Sequence, residues 1–186
     1  MANKTINIAL GAAVVAGISG GIVATTTTNT ASTDWVKPVS SVTPGSTNPD
    51  VTQANIQTTI CTSGYTATIR PPVSYTNKLK ADEIAVGGTY NFEVATYGSA
   101  LGNYELDHLI SLQLGGNPTD IKNLWMEPYL GNNARKKDVV ETALKRLVCS
   151  NQIPLLDAQK AISTDWVAAY NKYVTPADVS DSNSNG

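Results

Sequence analysis

The residues best suited to chemistry lie in a short window around His108, the single histidine of the chain. A neutral imidazole is a suitable general base near neutral pH. Asp107 precedes it, and Asn133 offers an amide oxygen; Mg²⁺ accepts such oxygen ligands while keeping several waters. Asn123 could fix the loop that carries the imidazole by bonding backbone groups. Together these groups suit hydrolysis of a phosphodiester, with a base for the water and a cation for the phosphate.

Composition excludes several other kinds of site. With one histidine in 186 residues, the chain cannot build a zinc site from several histidines or a two-histidine phosphodiesterase site. Its formal net charge of -2 means that a phosphate-rich partner would have to meet a local basic patch. The sequence offers Arg135, Lys136 and Lys137 as candidate phosphate contacts, although exposed helix charges are more often only solvated.

A hairpin followed by a helix would bring the candidate residues together. Residues 104–112 alternate as a strand does, and Gly115-Gly116-Asn117-Pro118 is strong turn chemistry. Residues 124–126 form a short apolar run that suits a returning strand, and apolar residues over 140–148 recur at helical spacing. We therefore expect the order strand, loop, strand, helix, with the end of the first strand near the start of the helix.

The regions that flank the hairpin predict further elements. Residues 57–70 carry β-branched and aromatic side chains and predict short strands or extended chain, and residues 89–94 predict another strand. Residues 77–84 suit a helical turn. Residues 155–170 have apolar side chains at helical spacing, with a kink expected near Thr164.

The ends of the chain differ from its middle. Residues 1–24 combine an early lysine with an apolar run over residues 6–23, which favours a cleaved signal peptide or a retained membrane anchor over a buried helix. Either of the first two would make the protein secreted or extracytoplasmic, membrane-anchored in the second case. Residues 25–56 are rich in Thr, Ser, Asn and Pro and predict a disordered linker, and residues 176–186 predict a disordered tail. The folded domain is then expected over residues 57–175.

The two cysteines, Cys61 and Cys149, are far apart and form no C-x-x-C pair. A zinc site made from two thiolates and an imidazole has no supporting spacing. An even cysteine count in an exported chain more often means a disulfide, so we expect Cys61 to pair with Cys149.

Three stretches of the central window carry a resemblance: Asp107-His108-Leu109-Ile110, Leu114-Gly115-Gly116 and Asn123-Leu124-Trp125. They resemble the HNH nuclease family, also called the His-Me finger or ββα-metal fold. The flanks resemble a bacterial and phage group described as HNH endonuclease-like. The flanking matches, from about Cys61 to Tyr173, are Cys61-Thr62-Ser63-Gly64-Tyr65, Arg70-Pro71, Tyr104-Glu105-Leu106, Met126-Glu127-Pro128, Asn133-Ala134, Lys137-Asp138, Glu141, Val148-Cys149 and Asp165-Trp166.

The resemblance implies an α+β fold: a ββα-metal core with additional N-terminal short strands and a C-terminal helix. It implies an HNH-type endonuclease that cuts nucleic acid, with DNA favoured and RNA left open, and that uses one divalent metal ion, Mg²⁺ in the first place and Mn²⁺ as the alternative. His108 matches the general base and Asn123 the central orienting asparagine of the catalytic set. Asp107 matches the metal-binding acid, and Asn133 matches the third position, which binds the metal.

Several points stay open within the resemblance. Asn132 is a rival of Asn133 as ligand, and Glu105 is either a support or alternative ligand of the site or a plain surface acid. Ser111 and Met126 stand where prolines are usual, and the four-cysteine zinc knuckle of many HNH proteins is absent from the sequence. The alternative function is a non-catalytic exported domain on the same scaffold, either nucleic-acid-binding or structural, in which His108 is an ordinary core residue.

Overall fold

The structure is a computed structural model that describes residues 35–86 and 97–184. Over these residues the fold combines helices with a two-stranded antiparallel sheet, which confirms the mixed α and β class. The predicted signal or anchor, residues 1–24, and the predicted strand at residues 89–94 lie outside the described residues. Within the described ranges, no helix is long and apolar enough to cross a membrane.

The central unit is an antiparallel hairpin followed by a helix. Strand β1, Tyr104–His108, pairs with strand β2, Leu124–Pro128, and places His108 opposite Leu124. The helix Asn133–Cys149 follows after a short 3₁₀ turn. The expected order of elements is present, but β1 ends at His108 because Leu112–Leu114 form a 3₁₀ turn instead of continuing the strand.

Two glycines close the loop between β1 and β2. Gly115 has a φ of +70°, in the left-handed region that favours glycine. A Cβ added to Gly116 would lie 1.7 Å from the carbonyl oxygen of Ile110, so the loop can close this tightly only with glycine there. The turn chemistry predicted for this stretch therefore has a steric cause.

The described helices include the helix of this unit. In chain order they are α1, Tyr65–Ile69, and α2, Val73–Val86, before the hairpin; then α3, Asn133–Cys149, α4, Leu155–Tyr173, and α5, Pro176–Ser184. Helix α2 contains the predicted helical turn at residues 77–84. Helix α4 is the expected C-terminal helix, and its backbone departs from helical geometry at Asp165, beside the kink predicted near Thr164.

The hydrophobic core has two clusters. The larger one joins α3 to α4 through side chains at the predicted helical spacing: Val140, Leu144 and Val148 from α3, with Ala158, Ile162 and Trp166 from α4. The smaller one holds the hairpin, through Tyr104, Leu106, Leu124, Trp125 and Met126, with Leu79 and Ile84 of α2 against it. Full burial of one large apolar side chain contributes about 1.5–3 kcal/mol, so packing fixes where the end of β1 lies.

The short strands expected at residues 57–70 are wrong. This stretch ends a 3₁₀ helix, Gln53–Thr58, and then forms α1. A strand needs a partner, and the two described strands pair only with each other. Ile60 instead packs into the larger cluster, and the confirmed disulfide Cys61–Cys149, with 5.6 Å between the Cα atoms, ties the stretch to the end of α3.

Residues 35–56 differ from the predicted disordered linker. Thr43 and Val51 are buried, and the backbone N–H of Val36 donates to Asn133 Oδ1 at 2.9 Å. The indole Nε1 of Trp166 donates to the carbonyl oxygen of Val36 at 3.0 Å. The segment is held by hydrogen bonds to distant residues and by a few buried apolar side chains, and its overall composition, which is rich in polar residues, therefore suggests a linker.

The tail also differs from its prediction. Residues Pro176–Ser184 form α5 instead of disordered chain. Asp178 accepts hydrogen bonds from the guanidinium of Arg146 at 3.2 Å and from the backbone N–H of Thr175 at 2.8 Å. These bonds cap α5 and attach it to α3.

Candidate active site

His108 is the last residue of β1, and its side chain is almost fully buried, at 5% exposure. Its Nε2 lies 3.0 Å from the carbonyl oxygen of Pro118. A carbonyl oxygen only accepts hydrogen bonds, so we assign the proton to Nε2 and the lone pair of the neutral ring to Nδ1. Burial lowers the pKa of His108 below its ordinary value of 6.5, although the Asp107 carboxylate acts in the opposite direction. The imidazole is therefore neutral at pH 7, with Nδ1 as its basic atom.

Asn123 fixes the loop that carries Pro118. Its side chain is fully buried; Oδ1 accepts from the backbone N–H of Ile110 at 2.9 Å, and Nδ2 donates to the carbonyl oxygens of Ile110 and Asn117 at 3.0 Å. The backbone N–H of Leu109 also donates to the Asn123 carbonyl oxygen at 2.8 Å. These bonds hold both sides of the loop, and with them the acceptor of the imidazole N–H.

Asp107 is bound by a lysine from helix α3. Its Oδ2 lies 2.6 Å from Nζ of Lys137 and accepts from the indole Nε1 of Trp125 at 3.3 Å. Burial acts to raise the pKa of Asp107, but the ammonium of Lys137 outweighs it and holds that pKa below its ordinary value. The carboxyl group is therefore ionised, and its charge is balanced inside the protein.

Lys137 is itself only 1% exposed. Besides Asp107, its Nζ lies 2.6 Å from Glu141 Oε1 and donates to the carbonyl oxygen of His108 at 2.8 Å. Burial acts to lower the pKa of Lys137, but the carboxylates of Asp107 and Glu141 raise it, so the amine stays charged. The Lys137 ammonium thus links the Asp107 carboxylate to the backbone of His108.

Glu141 and Glu127 complete what we call the buried charge cluster: Asp107, Glu127, Lys137 and Glu141. Burial raises the pKa of Glu141 to about 7, and its Oε2 accepts from the Ser111 hydroxyl at 2.6 Å. Burial and the charge of Asp107 raise the pKa of Glu127 well above its ordinary value, because both disfavour a second negative charge beside Asp107. The Ser111 hydroxyl is therefore hydrogen-bonded to this cluster. The resembling group usually has proline at this position.

The described donor atoms do not fit the divalent metal that the resemblance implies. Both amide atoms of Asn133 are engaged, since Oδ1 accepts from Val36 and Nδ2 donates to the Leu130 carbonyl oxygen at 2.7 Å. The Oδ2 of Asp107 is in its ion pair with Lys137. In the part of the chain that the structure describes, no group of three or more His, Cys, Asp or Glu side chains could hold a metal ion. The side chain of Asn132, the rival ligand, lies outside the described atoms.

His108 lines a cleft of about 180 Å³ between α2 and β1. Two cationic side chains, Arg70 and Lys80, line the same cleft, together with Glu105 and Tyr129. Arg70 is exposed and follows α1 directly; its backbone N–H donates to the Thr66 carbonyl oxygen at 3.0 Å, while its guanidinium makes no hydrogen bond or ion pair with another described residue. Lys80 Nζ donates to the Tyr104 carbonyl oxygen at 3.0 Å and to that of Leu101 at 3.3 Å. A buried base and two cations therefore share one concave surface.

Glu105 is the acid of this cleft. Burial and the neighbouring charge of Asp107 raise its pKa above the ordinary value, while Lys137 and Arg70 act against them. Burial raises the pKa of the Tyr129 hydroxyl, and the neighbouring Glu105 raises it further. Glu105 thus lies in the same cleft as His108 and Arg70 and is not an isolated surface acid.

The cations predicted to contact phosphate lie elsewhere. The expectation for Lys137 is wrong because an ammonium that is 1% exposed cannot reach a phosphate. Lys136 Nζ donates to the Gly131 carbonyl oxygen at 2.9 Å and packs over the Trp35 ring. Arg135 is exposed. Arg70 was missed as a cation of the site, and its one sequence signal is the Arg70-Pro71 pair within the flanks that resemble the HNH group.

Comparison with models of protein families, with curated proteins and with solved structures found no match. The functional conclusion therefore depends on the residues of the cleft and their geometry.

Proposed function

We propose that the protein hydrolyses phosphodiester bonds of nucleic acid, DNA above all, with His108 as general base. The observation that carries the proposal is the position of His108: a neutral imidazole, with its Nε2 proton bound by Pro118, lines a cleft that it shares with Arg70 and Lys80. A base beside two cations suits a reaction in which water attacks a negatively charged phosphate.

The chain's own residues divide the chemistry between them. A phosphate in the cleft lies near Arg70 and Lys80, and a guanidinium can bind two phosphate oxygens at once. Nδ1 of His108 takes a proton from the attacking water as the new P–O bond forms and the old P–O bond breaks. The leaving oxygen is protonated by solvent, and His108 returns its proton to solvent. General-base catalysis of this kind contributes typically about 10²–10⁴ in rate.

The order β1, β2, α3 supports an HNH-type ββα unit, with the Asp107-His108 pair at the end of β1 and Asn123 just before β2. The resemblance also implies Mg²⁺ or Mn²⁺ as cofactor, but the donor atoms of the described residues do not fit such an ion. The proposal therefore assigns proton transfer to His108 and charge compensation to the cations of the cleft.

The confirmed disulfide is compatible with an extracytoplasmic location, because disulfides persist mainly in oxidising compartments. We propose that the protein acts on nucleic acid outside the cytoplasm. The mass of the native N-terminus tests this: a start near Thr25 indicates a cleaved signal, and an intact Met1 indicates an anchor or a protein that is not exported.

A plasmid assay tests the proposed activity. Purified protein is incubated with supercoiled plasmid in EDTA, in Mg²⁺ and in Mn²⁺, beside the His108→Ala variant. We expect nicking by the wild type and a loss of about 10²–10⁴ in rate in the variant. The matched control is Lys78→Ala, on the exposed surface of α2 and outside the cleft. Plasmid left intact by the wild type in all three buffers contradicts the proposal.

A second candidate is a nucleic-acid-binding domain without catalysis. It is favoured by the ion pair of Lys137 with Asp107, which takes up the carboxylate that the resembling nucleases use for metal. Clean protein that retards DNA in a gel but leaves it uncut would support this candidate.

A further inference from the structure

We propose that Lys137 is a built-in cation of the site: its ammonium takes the place beside Asp107 that the resemblance gives to a divalent metal. The protein then holds no divalent metal at this carboxylate. The role of Lys137 in catalysis rests on the proposed function, whereas its role as the cation of the cluster does not.

The first argument is geometric. An ammonium has three N–H donors, and three oxygens surround Nζ of Lys137. They are Asp107 Oδ2 and Glu141 Oε1, each at 2.6 Å, and the His108 carbonyl oxygen at 2.8 Å. Each donor therefore has an acceptor, and each acceptor comes from β1 or α3. A Mg²⁺ ion bound through Asp107 Oδ2 would have to lie about 2.0–2.1 Å from that oxygen, where it would compete with the ammonium.

The second argument is the charge balance. Lys137 is 1% exposed, and a buried charge is tolerated only when it is paired and hydrogen-bonded. The partners it needs are the Asp107 and Glu141 carboxylates. A divalent ion at Asp107 would lie beside an ammonium that already binds the same oxygen, and the two like charges would repel each other.

The third argument links the ammonium to the base. Lys137 does not reach the cleft surface, so it is a positioning residue rather than a catalytic one. Its bond to the His108 carbonyl oxygen holds the backbone of the base, and its bond to Asp107 holds the preceding side chain. A metal-bound carboxylate could fix the same strand end, and here a covalently attached cation does so. Cleavage by the wild type should therefore persist in EDTA.

The direct test is titration of the wild type with Mn²⁺, followed by the electron paramagnetic resonance signal of the free ion. We expect no stoichiometric binding at millimolar Mn²⁺, and the same melting temperature in EDTA as in Mg²⁺. Binding of one Mn²⁺ per chain that is lost in Asp107→Asn would overturn the proposal.

A variant provides the converse test. Lys137→Met removes the charge but keeps an unbranched apolar chain, and it leaves Asp107 and Glu141 without a cation. We expect this variant to gain Mn²⁺ binding, and the double variant Lys137→Met/Asp107→Asn to lose it again. The control is Lys145→Met, about two turns further along α3 and outside the cluster, which should behave as the wild type does. A folded Lys137→Met protein that binds no Mn²⁺ overturns the proposal; if this variant does not fold, the wild-type titration decides.

The plasmid assay separates the two proposals. Cleavage in EDTA supports both, and cleavage only with added metal supports the proposed function and overturns the role of Lys137. If no condition gives cleavage, the proposed function fails, and the Mn²⁺ titration still decides whether Lys137 holds the place of a metal.

Discussion

The Nε2 atom of His108 lies 3.0 Å from the carbonyl oxygen of Pro118, ten residues further along the chain. This hydrogen bond makes the tautomer of the His108 ring depend on the conformation of the loop between β1 and β2. Asn123 holds the same loop from the other side, through the backbone of Ile110 and Asn117. The loop therefore sets which nitrogen of the ring can accept a proton.

The single histidine makes this testable by nuclear magnetic resonance. We expect the ¹⁵N spectrum to show the Nε2–H tautomer and a titration of His108 below pH 6.5, because burial disfavours the charged ring. The cleavage rate should change little between neutral pH and pH 6.5, and it should decrease at pH values below 6.5. A titration above 6.5, or an Nδ1–H tautomer, contradicts the assignment.

The same shift predicts how stability depends on pH. Because the pKa of His108 is lower in the folded protein than in the unfolded chain, the unfolded chain takes up the proton first as pH falls. The contribution of the neutral ring is complete above pH 6.5 and declines as the pH falls toward the folded pKa. Urea unfolding of the wild type and of His108→Gln at several pH values measures this contribution. Equal pH profiles of the unfolding free energy for the two proteins would contradict the prediction.

Arg70→Ala should weaken nucleic-acid binding more than it slows the chemical step. The guanidinium lines the cleft and has no other ion-pair partner among the described residues, so it is free for a phosphate. We expect KM to rise by about tenfold, and the slope of log KM against log salt to change by about one, because one phosphate contact is lost. Lys78→Ala is the control. An unchanged KM with a reduced kcat would mean that Arg70 does not bind the ground state.

Asn123→Ala should destabilise the protein by about 3 kcal/mol, because the loss of a buried hydrogen-bonded partner costs about 1–3 kcal/mol for each group left unsatisfied. The groups that lose this partner are the N–H and carbonyl of Ile110, the Asn117 carbonyl and, at the longer distance of 3.4 Å, the N–H of Ser46. Urea unfolding measures the change, and cleavage should fall with it because Pro118 is released. The control, Asn171→Ala on the exposed side of α4, should change stability by less than about 0.5 kcal/mol.

The double variant Cys61→Ala/Cys149→Ala should lose about 4–5 kcal/mol of unfolding free energy, because the bridge constrains the unfolded chain across a sequence separation of 88. The measurement is urea unfolding with and without reductant. Wild type with reductant should match the variant, and the variant should not respond to reductant. Identical midpoints for the oxidised wild type and the variant would show that the bridge contributes nothing.

The hairpin and the helix could be predicted because their signals are local. The alternation along β1, the glycine pair at 115–116 and the helical spacing of Val140, Leu144 and Val148 each depend on neighbours in sequence. The disulfide followed from the count of two cysteines. The position of Asp107, His108 and Asn123 at one end of the hairpin follows from these signals.

The charge cluster could not be predicted from the sequence. Lys137 and Glu141 are four residues apart on a helix, the usual spacing of a solvated surface pair, and only the packing of α3 against the hairpin and its loop buries them. Arg70 reaches the cleft through the path of α1 and α2, which no local pattern describes. Asn133 matches the third, metal-binding position of the resembling family, and no local pattern shows that its Oδ1 already accepts from Val36, which lies in a segment whose composition suggests disorder.

The docking of that segment has a practical consequence for protein production. A recombinant fragment starting at residue 57, where composition places the domain boundary, would lack Trp35 and Val36. Oδ1 of Asn133 and Nε1 of Trp166 would then lose their partners, and the Trp166 ring would lose its contact with Trp35. Such a fragment should aggregate or unfold at lower temperature, and an expression plasmid for this domain should therefore encode chain from before Trp35.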